Sequence, residues 1–340
     1  MDVLQDAKRV VLAHFDAIAS ASSETMATAL AKQTAPDWHW RGMHPFHEQH
    51  GAEDVAEVFW SPLSQSLTSI QRRQDVFFSG KNMIDDFEGV WVVSMGHLLA
   101  LFDQPFLGIP PTRKIVMLRY AEFNRVDGGK IVETGSFFDL LHLMAQAGIK
   151  PIADQTATHL VQPGPATHDG LLYQAHPVKE GEDTLDLINR MIGDINANSN
   201  SAENEAPRDP TPQDELSRCW HDDMLWWGPE GIGATYTIDR YIEQHQKPFR
   251  TQLSDRVFNG HIARLAEGNY GGFFGWPNLT LRPIGNYLGQ AANAETTADM
   301  RVVDIYRRDG DKLAENWVFI DILHFLKMQG VDVLDDLTKR

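Results

Sequence analysis

The strongest constraint on this chain is that it repeats itself. Offset by 182 residues, 119–149 lies over 301–331 without a gap, and eleven of the 31 pairs are identical. They include Arg119/Arg301, Arg125/Arg307, Asp127/Asp309, Gly128/Gly310, Glu133/Glu315, Phe137/Phe319, Asp139/Asp321 and His142/His324. The same offset sets Trp38-His39 over Trp220-His221, and an offset of 181 sets Phe106-Leu107-Gly108 over Tyr287-Leu288-Gly289. Agreement at so many separated places identifies a duplication. A chain of 340 residues suits two domains of ordinary size. The boundaries read as a first copy over 1–150, a proline-containing linker over 151–180 and a second copy over 181–340.

Both copies open on an amphipathic helix, with Val10, Val11, His14, Phe15 and Ile18 in the first and Leu187, Ile188, Met191, Ile192 and Ile195 in the second. Shorter amphipathic stretches follow at 54–59 and 238–242. Strand-like runs come next, at 75–78, 90–95 and 114–123, with 256–258, 270–274 and 300–306 opposite them. Asp127-Gly128 and Asp309-Gly310 mark hairpins, and Gly148 and Gly330 are placed to stop a closing helical turn. Helices first and antiparallel strands after them predict two tandem α+β rolls, each a curved antiparallel sheet around a long helix with an open-mouthed cavity. The polar segment 196–214 reads as a mobile loop.

The formal charge is −17, which repels nucleic-acid backbones and anionic membranes. One cysteine, Cys219, allows no intramolecular disulfide and fits a reducing cytoplasm. The N-terminal segment lacks a signal-peptide pattern, and no apolar run reaches the ~18 residues of a membrane span. Glycine-rich nucleotide fingerprints and a Gly-x-Ser-x-Gly elbow are missing, so no cofactor is expected. His44, His47 and His50 share no regular strand face and do not recur in the second copy, so no metal site is expected either.

Residues 106–149, FLGIPPTRKIVMLRYAEFNRVDGGKIVETGSFFDLLHLMAQAGI, carry a family resemblance. The Gly-x-Pro-Pro-Thr turn, the apolar strand, the Asp-Gly-Gly-Lys-Ile turn and the Gln-x-Gly helix end resemble SnoaL-like polyketide cyclases, and PDWHWRGMHP resembles their first pocket-wall strand. The resemblance implies the cystatin-like roll of nuclear transport factor two and limonene epoxide hydrolase. It also implies a small-molecule pocket, and a pseudo-dimer made by the two copies, with further homo-oligomers left open. In such cyclases an Asp on the last strand is the general acid/base for an intramolecular aldol closure, assisted by a His and an Asn. By motif the Asp falls on Ser136 and Val318, the His on Glu122 and Asp304, and the Asn on Trp40 and Asp222. Neither copy keeps the Asp.

Strand alternation puts Tyr120 and Glu122 on one face, with Thr134, Ser136 and Phe138 on the next strand. Glu122 is therefore expected either as a pocket acid/base with a raised pKa or as a surface partner of Arg113 or Arg125. Asp222 and Asp304 either share a proton across the second pocket, or one of them is solvated. Trp40, Trp226 and Trp227 are expected to bind substrate by stacking, whereas Trp38 and Trp220 read as core. His44 is either an acid/base at the pocket mouth or part of a solvated loop. Asp139 with His142, and Asp321 with His324, read as helix caps. Together these point to a cofactor-free cyclase, isomerase or lyase acting on a small, largely apolar carbonyl compound. Glu122 and Asp304 would move protons, and Tyr120 and Ser136 would orient the substrate. The alternatives are a pocket that only binds its ligand, or one copy kept as scaffold for the other.

Overall fold

The computed structural model describes residues 2–152, 156–157, 162–199 and 211–339. The first sheet follows a helical opening. Helix α1 (Val3–Ala19) buries Ala7, Val11, His14 and Phe15 along one face and is capped by Asp2; α2 (Met26–Ala31) follows. Strands β1 (Thr34–Gly42) and β2 (His47–His50) lead into α3 (Gly51–Val55), a π-helical turn at Ala56–Trp60 and α4 (Ser61–Ser66). Four long strands complete the sheet: β3 (Leu67–Lys81), β4 (Val90–Phe102), β5 (Ile115–Asp127) and β6 (Lys130–Phe138), closed by α5 (Leu140–Gln146). The strand order is β2-β1-β6-β5-β4-β3, antiparallel except where β1 runs parallel to β6.

The second sheet uses the same plan. Helix α6 (Val178–Ser199) buries Leu187, Ile188 and Met191, and α7 (Pro212–Ser217) follows. Strands β7 (Trp220–Trp227) and β8 (Ala234–Tyr236) lead to α8 (Ile238–Tyr241), a second π-helical turn at Ile242–Gln246 and α9 (Lys247–Gln252). Next come β9 (Leu253–Phe258), β10 (Ala263–Glu267), β11 (Tyr270–Pro283), β12 (Ala298–Asp309) and β13 (Lys312–Ile320), then α10 (Ile322–Met328) and α11 (Val333–Thr338). The order β10-β11-β12-β13-β7-β8 repeats that of the first sheet, except that β9 and β10, both on β11, stand where the first sheet has the single long β3. The two tandem α+β rolls expected from the repeat are thus present. The loop expected at 196–214 is shorter than read: 196–199 continues α6, 212–214 opens α7, and 200–210 lie outside the described residues.

Chain contacts group residues 1–151, 163–175 and 319–340 as one compact unit, and 152–162 with 176–318 as the other. In the first unit, residues within the 151–180 segment lie along the edge strand. Phe77 exchanges backbone hydrogen bonds with Gly170 and Leu172 at 2.8 Å each, and the buried Lys8 ammonium donates to the Leu172 carbonyl. This strap gives part of β3 a partner that an open edge would otherwise lack. Residues 319–340 complete the same unit: the Arg119 guanidinium lies 3.9 Å from the Phe319 ring centroid, and the His44 backbone N–H donates to the Asp321 carboxylate at 2.9 Å.

The identities in the repeat have local causes. Arg125 and Glu133 sit opposite each other on the first hairpin, 3.7 Å apart, and Arg307 and Glu315 make the equivalent pair at 2.6 Å. Gly128 and Gly310 hold positive φ in the turns, as Gly148 and Gly330 do past the closing helices. Asp139 caps the His142 N–H at 3.0 Å and Asp321 the His324 N–H at 3.2 Å, as their spacing predicts.

Candidate functional site

The first wall strand fixes both sites, and here the sequence alignment needs correction. On β1, Trp40 pairs with Thr134; on β7, Trp226 pairs with Asn316, the 182-residue counterpart of Thr134. The wall strands are therefore offset by 186 (226 less 40). The counterpart of Trp40 is Trp226, not Asp222, and that of Trp38 is Met224, not Trp220. The recurring Trp-His dipeptide is a coincidence of register. The 186 offset runs onward through both π-helical turns to Pro62/Pro248 and Leu67/Leu253. Gly42 and Gly228 obey it too. A Cβ on Gly42 would sit 2.2 Å from the Trp40 ring, and one on Gly228 2.0 Å from the Trp226 ring. We expect Gly42→Ala and Gly228→Ala each to cost about 1–3 kcal/mol in urea unfolding, because the indole must leave its place; an unchanged midpoint would show that the ring yields freely.

In the first unit, Trp40 is buried and donates from Nε1 to Ser136 Oγ at 2.9 Å. Phe59, from the π-turn, stacks on Trp40 at 5.6 Å and meets Phe138 at 4.4 Å. The position where the family resemblance sets the catalytic Asp is thus a buried serine under an aromatic cover. Glu122 is also buried, but its partner is neither Arg113 nor Arg125. Its Oε2 accepts from Arg72 Nη1 at 2.9 Å. The Arg72 guanidinium lies 3.9 Å from the Phe15 centroid and 4.4 Å from that of Tyr120. Burial works against its charge, but Glu122 and Tyr120 outweigh this and hold its pKa above the ordinary value. Tyr120 is buried and shares a hydrogen bond with Ser94 at 2.9 Å; burial raises its pKa. His14, on α1, is lowered to about 3 by burial and by Arg72, which keeps it neutral. His44 lies in the turn between β1 and β2, but it is buried and not solvated, with its ring 5.3 Å from that of His47.

In the second unit, Asp222 is exposed, one of two outward residues where β7 bulges, so it does not meet Asp304. Asp304 is half-buried and accepts from Asn316 Nδ2 at 3.1 Å. Burial pushes its pKa up to about 6, although hydrogen bonds from Asn316 and Tyr306 pull the other way. Tyr241 and Tyr306 interact with it, and both phenols are raised by burial first and by the Asp304 charge second. His245 comes from the second π-turn, at the place of Phe59, and stacks on Trp226 at 4.0 Å. Burial lowers its pKa to about 3, so the imidazole stays neutral. Trp227 is buried beside Trp226 in sequence, and Trp38 and Trp220 are both core, as read. Tyr241, His245 and Tyr306 were missed in the sequence. The signal that would have found the first two is the 186 offset, which sets Tyr241 over Val55 and His245 over Phe59.

Among the described residues no three His, Cys, Asp or Glu side chains converge as a metal site, and no helix is long and apolar enough to cross a membrane. Residues 13–147 match the SnoaL-like polyketide cyclase family. No curated protein matches the chain. Among solved structures, an NTF2-like protein from Burkholderia thailandensis E264 is 23% identical over 42% of this chain and 97% of its own, with a TM-score of 0.31. A candidate SnoaL-like polyketide cyclase from Jannaschia sp. CCS1 is 20% identical over 43% and 93%, with a TM-score of 0.35. With the motifs of 106–149 and the α+β roll already in place, the match makes residues 13–147 similar to the SnoaL-like polyketide cyclases.

Proposed function

We propose that this chain is a cofactor-free acid–base enzyme of the cyclase, isomerase or lyase kind, acting on a small, largely apolar carbonyl compound. Its proton-transfer centre is Asp304. The observation that carries this reading is a half-buried carboxylate with a pKa of about 6, set beside two phenols. At neutral pH such a group is ionised and still basic enough to take a proton from carbon next to a carbonyl. Tyr241 keeps its proton and can donate a hydrogen bond to the enolate oxygen that forms, while Tyr306 donates to Asp304 and holds it in place. Trp226 and His245, stacked and uncharged, offer an apolar wall for the substrate. Asp304, returning the proton at a second carbon, would close a ring or move a double bond.

Non-catalytic binding is the better reading for the first unit. Glu122 there is held by Arg72, and Ser136 is covered by Trp40.

Exchange of α-protons tests this without knowing the natural substrate. With 1-tetralone in D2O, the protein is expected to speed deuterium uptake along a pH profile rising through about 6. Asp304→Asn should slow that uptake about 100-fold, within the range usual for a lost general base. Equal uptake by Asp304→Asn would sink the assignment. Stability gives a second readout. The folded pKa of Asp304 lies above its unfolded value of 3.8, so the penalty for folding its charged form is absent below pH 3.8, grows as pH rises through about 6 and is full above it. Asp304→Asn should therefore raise the unfolding free energy, read from urea midpoints, at pH 7.5 and not at pH 4, by no more than about 3 kcal/mol at 1.36 kcal/mol per pKa unit.

A further inference from the structure

The duplication supplies an internal control for the surface of the first sheet. On the face of β4 and β5 opposite to that of Tyr120 and Glu122, Leu99 lies across from Met117 and Leu101 across from Ile115. Leu101 is 40% exposed and Ile115 68%, and the other two are half-buried. The four form one apolar block. In the second sheet Thr280 lies across from Asp299, and the 182 offset sets Met117 over Asp299 and Ile115 over Thr297. Leu99 and Leu101 answer to Thr280 and Arg282, because their neighbours Gln71 and Thr68 on β3 answer to Val257 and Ser254 on β9 by the 186 offset. All four places are therefore polar in the second unit, and three of them are tied down. Thr280 Oγ1 donates to Asp299 Oδ1 at 2.8 Å, and Arg282 Nε to Asp255 Oδ2 at 2.5 Å. The same sheet is built with polar residues at these places, so folding alone does not account for an apolar block left open to water.

The rim of the block is basic. Arg73 is exposed and lies across from His97, one row past Leu99. Arg113, its side chain 76% exposed, and the exposed Lys114 lie past Ile115, so the cations stand at opposite ends of the block. Asp103 pairs with Arg113 at 3.6 Å, whereas Arg73 bonds only to Gln71, and neither it nor Lys114 has a carboxylate partner among the described residues. In the second unit these cations answer to Asn259, Glu295 and Thr296. An apolar block with a basic rim thus stands on a chain of formal charge −17, and the duplicate has neither. We infer that this face of the first unit docks an acidic amphipathic helix of a partner protein. Two residues along a strand span about 7 Å and neighbouring strands lie about 5 Å apart, which suits the apolar stripe of about two helical turns. Carboxylates beside that stripe would meet Arg73 at one end and Arg113 and Lys114 at the other. A second copy of the chain, packed on this face about a twofold axis, would instead set a basic rim against a basic rim. An anionic membrane would attract the rim and repel the rest of the chain.

This inference shares no residue with the Asp304 reading, and either can fail while the other stands. The test uses the full chain and a fluorescein-labelled helical peptide with leucine along one face and glutamate elsewhere. Its controls are the same peptide with glutamine for glutamate, a scrambled peptide of the same composition, and vesicles of phosphatidylglycerol. In fluorescence anisotropy the glutamate peptide should bind about tenfold more tightly than either control peptide, although the charge of the whole chain opposes it, and should weaken as salt is raised. Two double variants carry the second unit's residues, which that sheet already accepts. Ile115→Thr/Met117→Asp should weaken binding about tenfold, and Arg73→Asn/Lys114→Thr should flatten the salt dependence. The inference is overturned if the glutamate peptide does not bind, if it binds no better than the controls, if the vesicles bind in its place, or if the folded variants behave as the native chain does. It is also overturned if the chain sediments as a dimer that Ile115→Thr/Met117→Asp splits, since a second copy would then cover this face.

Discussion

Replacing Arg72 with methionine is expected to cost about 3–5 kcal/mol, the usual price of stranding one member of a buried ion pair. Glu122 is buried and its ion-pair partner is Arg72 at 2.9 Å, so the variant must either fold around a lone carboxylate or protonate it. The guanidinium also leaves behind its contacts with Phe15 and Tyr120. Adding Glu122→Gln should recover most of the loss, since buried pairs replaced as a pair are often near neutral. Urea unfolding of the native chain, the single and the double variant forms the measurement. A single variant within about 1 kcal/mol of native would mean that water reaches Glu122 and that the pair is not a closed unit.

Asp321→Ala should cost about 2–4 kcal/mol. Its two carboxylate oxygens do separate work: one caps the His324 N–H, and the other accepts the His44 N–H. Loss of a cap costs about 1 kcal/mol, and a buried N–H left without an acceptor costs about 1–3 kcal/mol more. The residue has no exposed surface, so water is poorly placed to substitute. Hydrogen exchange resolves the two parts. The His44 amide, far away in sequence, should lose protection along with the His324 amide. Protection retained at His44 would refute the second role.

The sequence reveals most where local chemistry decides the structure. The Asp-Gly turns, the Asp caps and the opposed Arg–Glu pairs are set within a few residues of each other, and all recur where the repeat places them. The wall strand was misread because two Trp-His dipeptides happened to agree at the offset proper to the hairpin, whereas insertions between elements had changed the offset to 186 upstream. Arg72 was invisible for another reason. Gln71, Arg72, Arg73 and Gln74 form an unbroken polar run inside β3, with no alternation to mark a strand or an inward face. His245 sits in a stretch that reads as a polar helix surface. A π-helical turn adds a residue to the local turn and swings such a side chain toward the sheet, and ordinary helical spacing does not foresee that. Alternation leaves Glu122 open between pocket and surface; it is buried, and its partner lies 50 residues earlier on a stretch of strand that pattern alone does not show.

Residues 319–340 belong to the first unit although the whole of 176–318 intervenes. During synthesis, at about 5–20 residues per second, the ribosome spends roughly seven to thirty seconds on that intervening stretch. Through that interval the nascent first unit lacks Asp321 as acceptor for His44 and Phe319 as the platform for Arg119. Vectorial folding, in which the earlier domain finishes before the later one emerges, is closed to this chain. A gene cut between the two copies would likewise not release two finished proteins, since the upstream product would be missing a part encoded downstream.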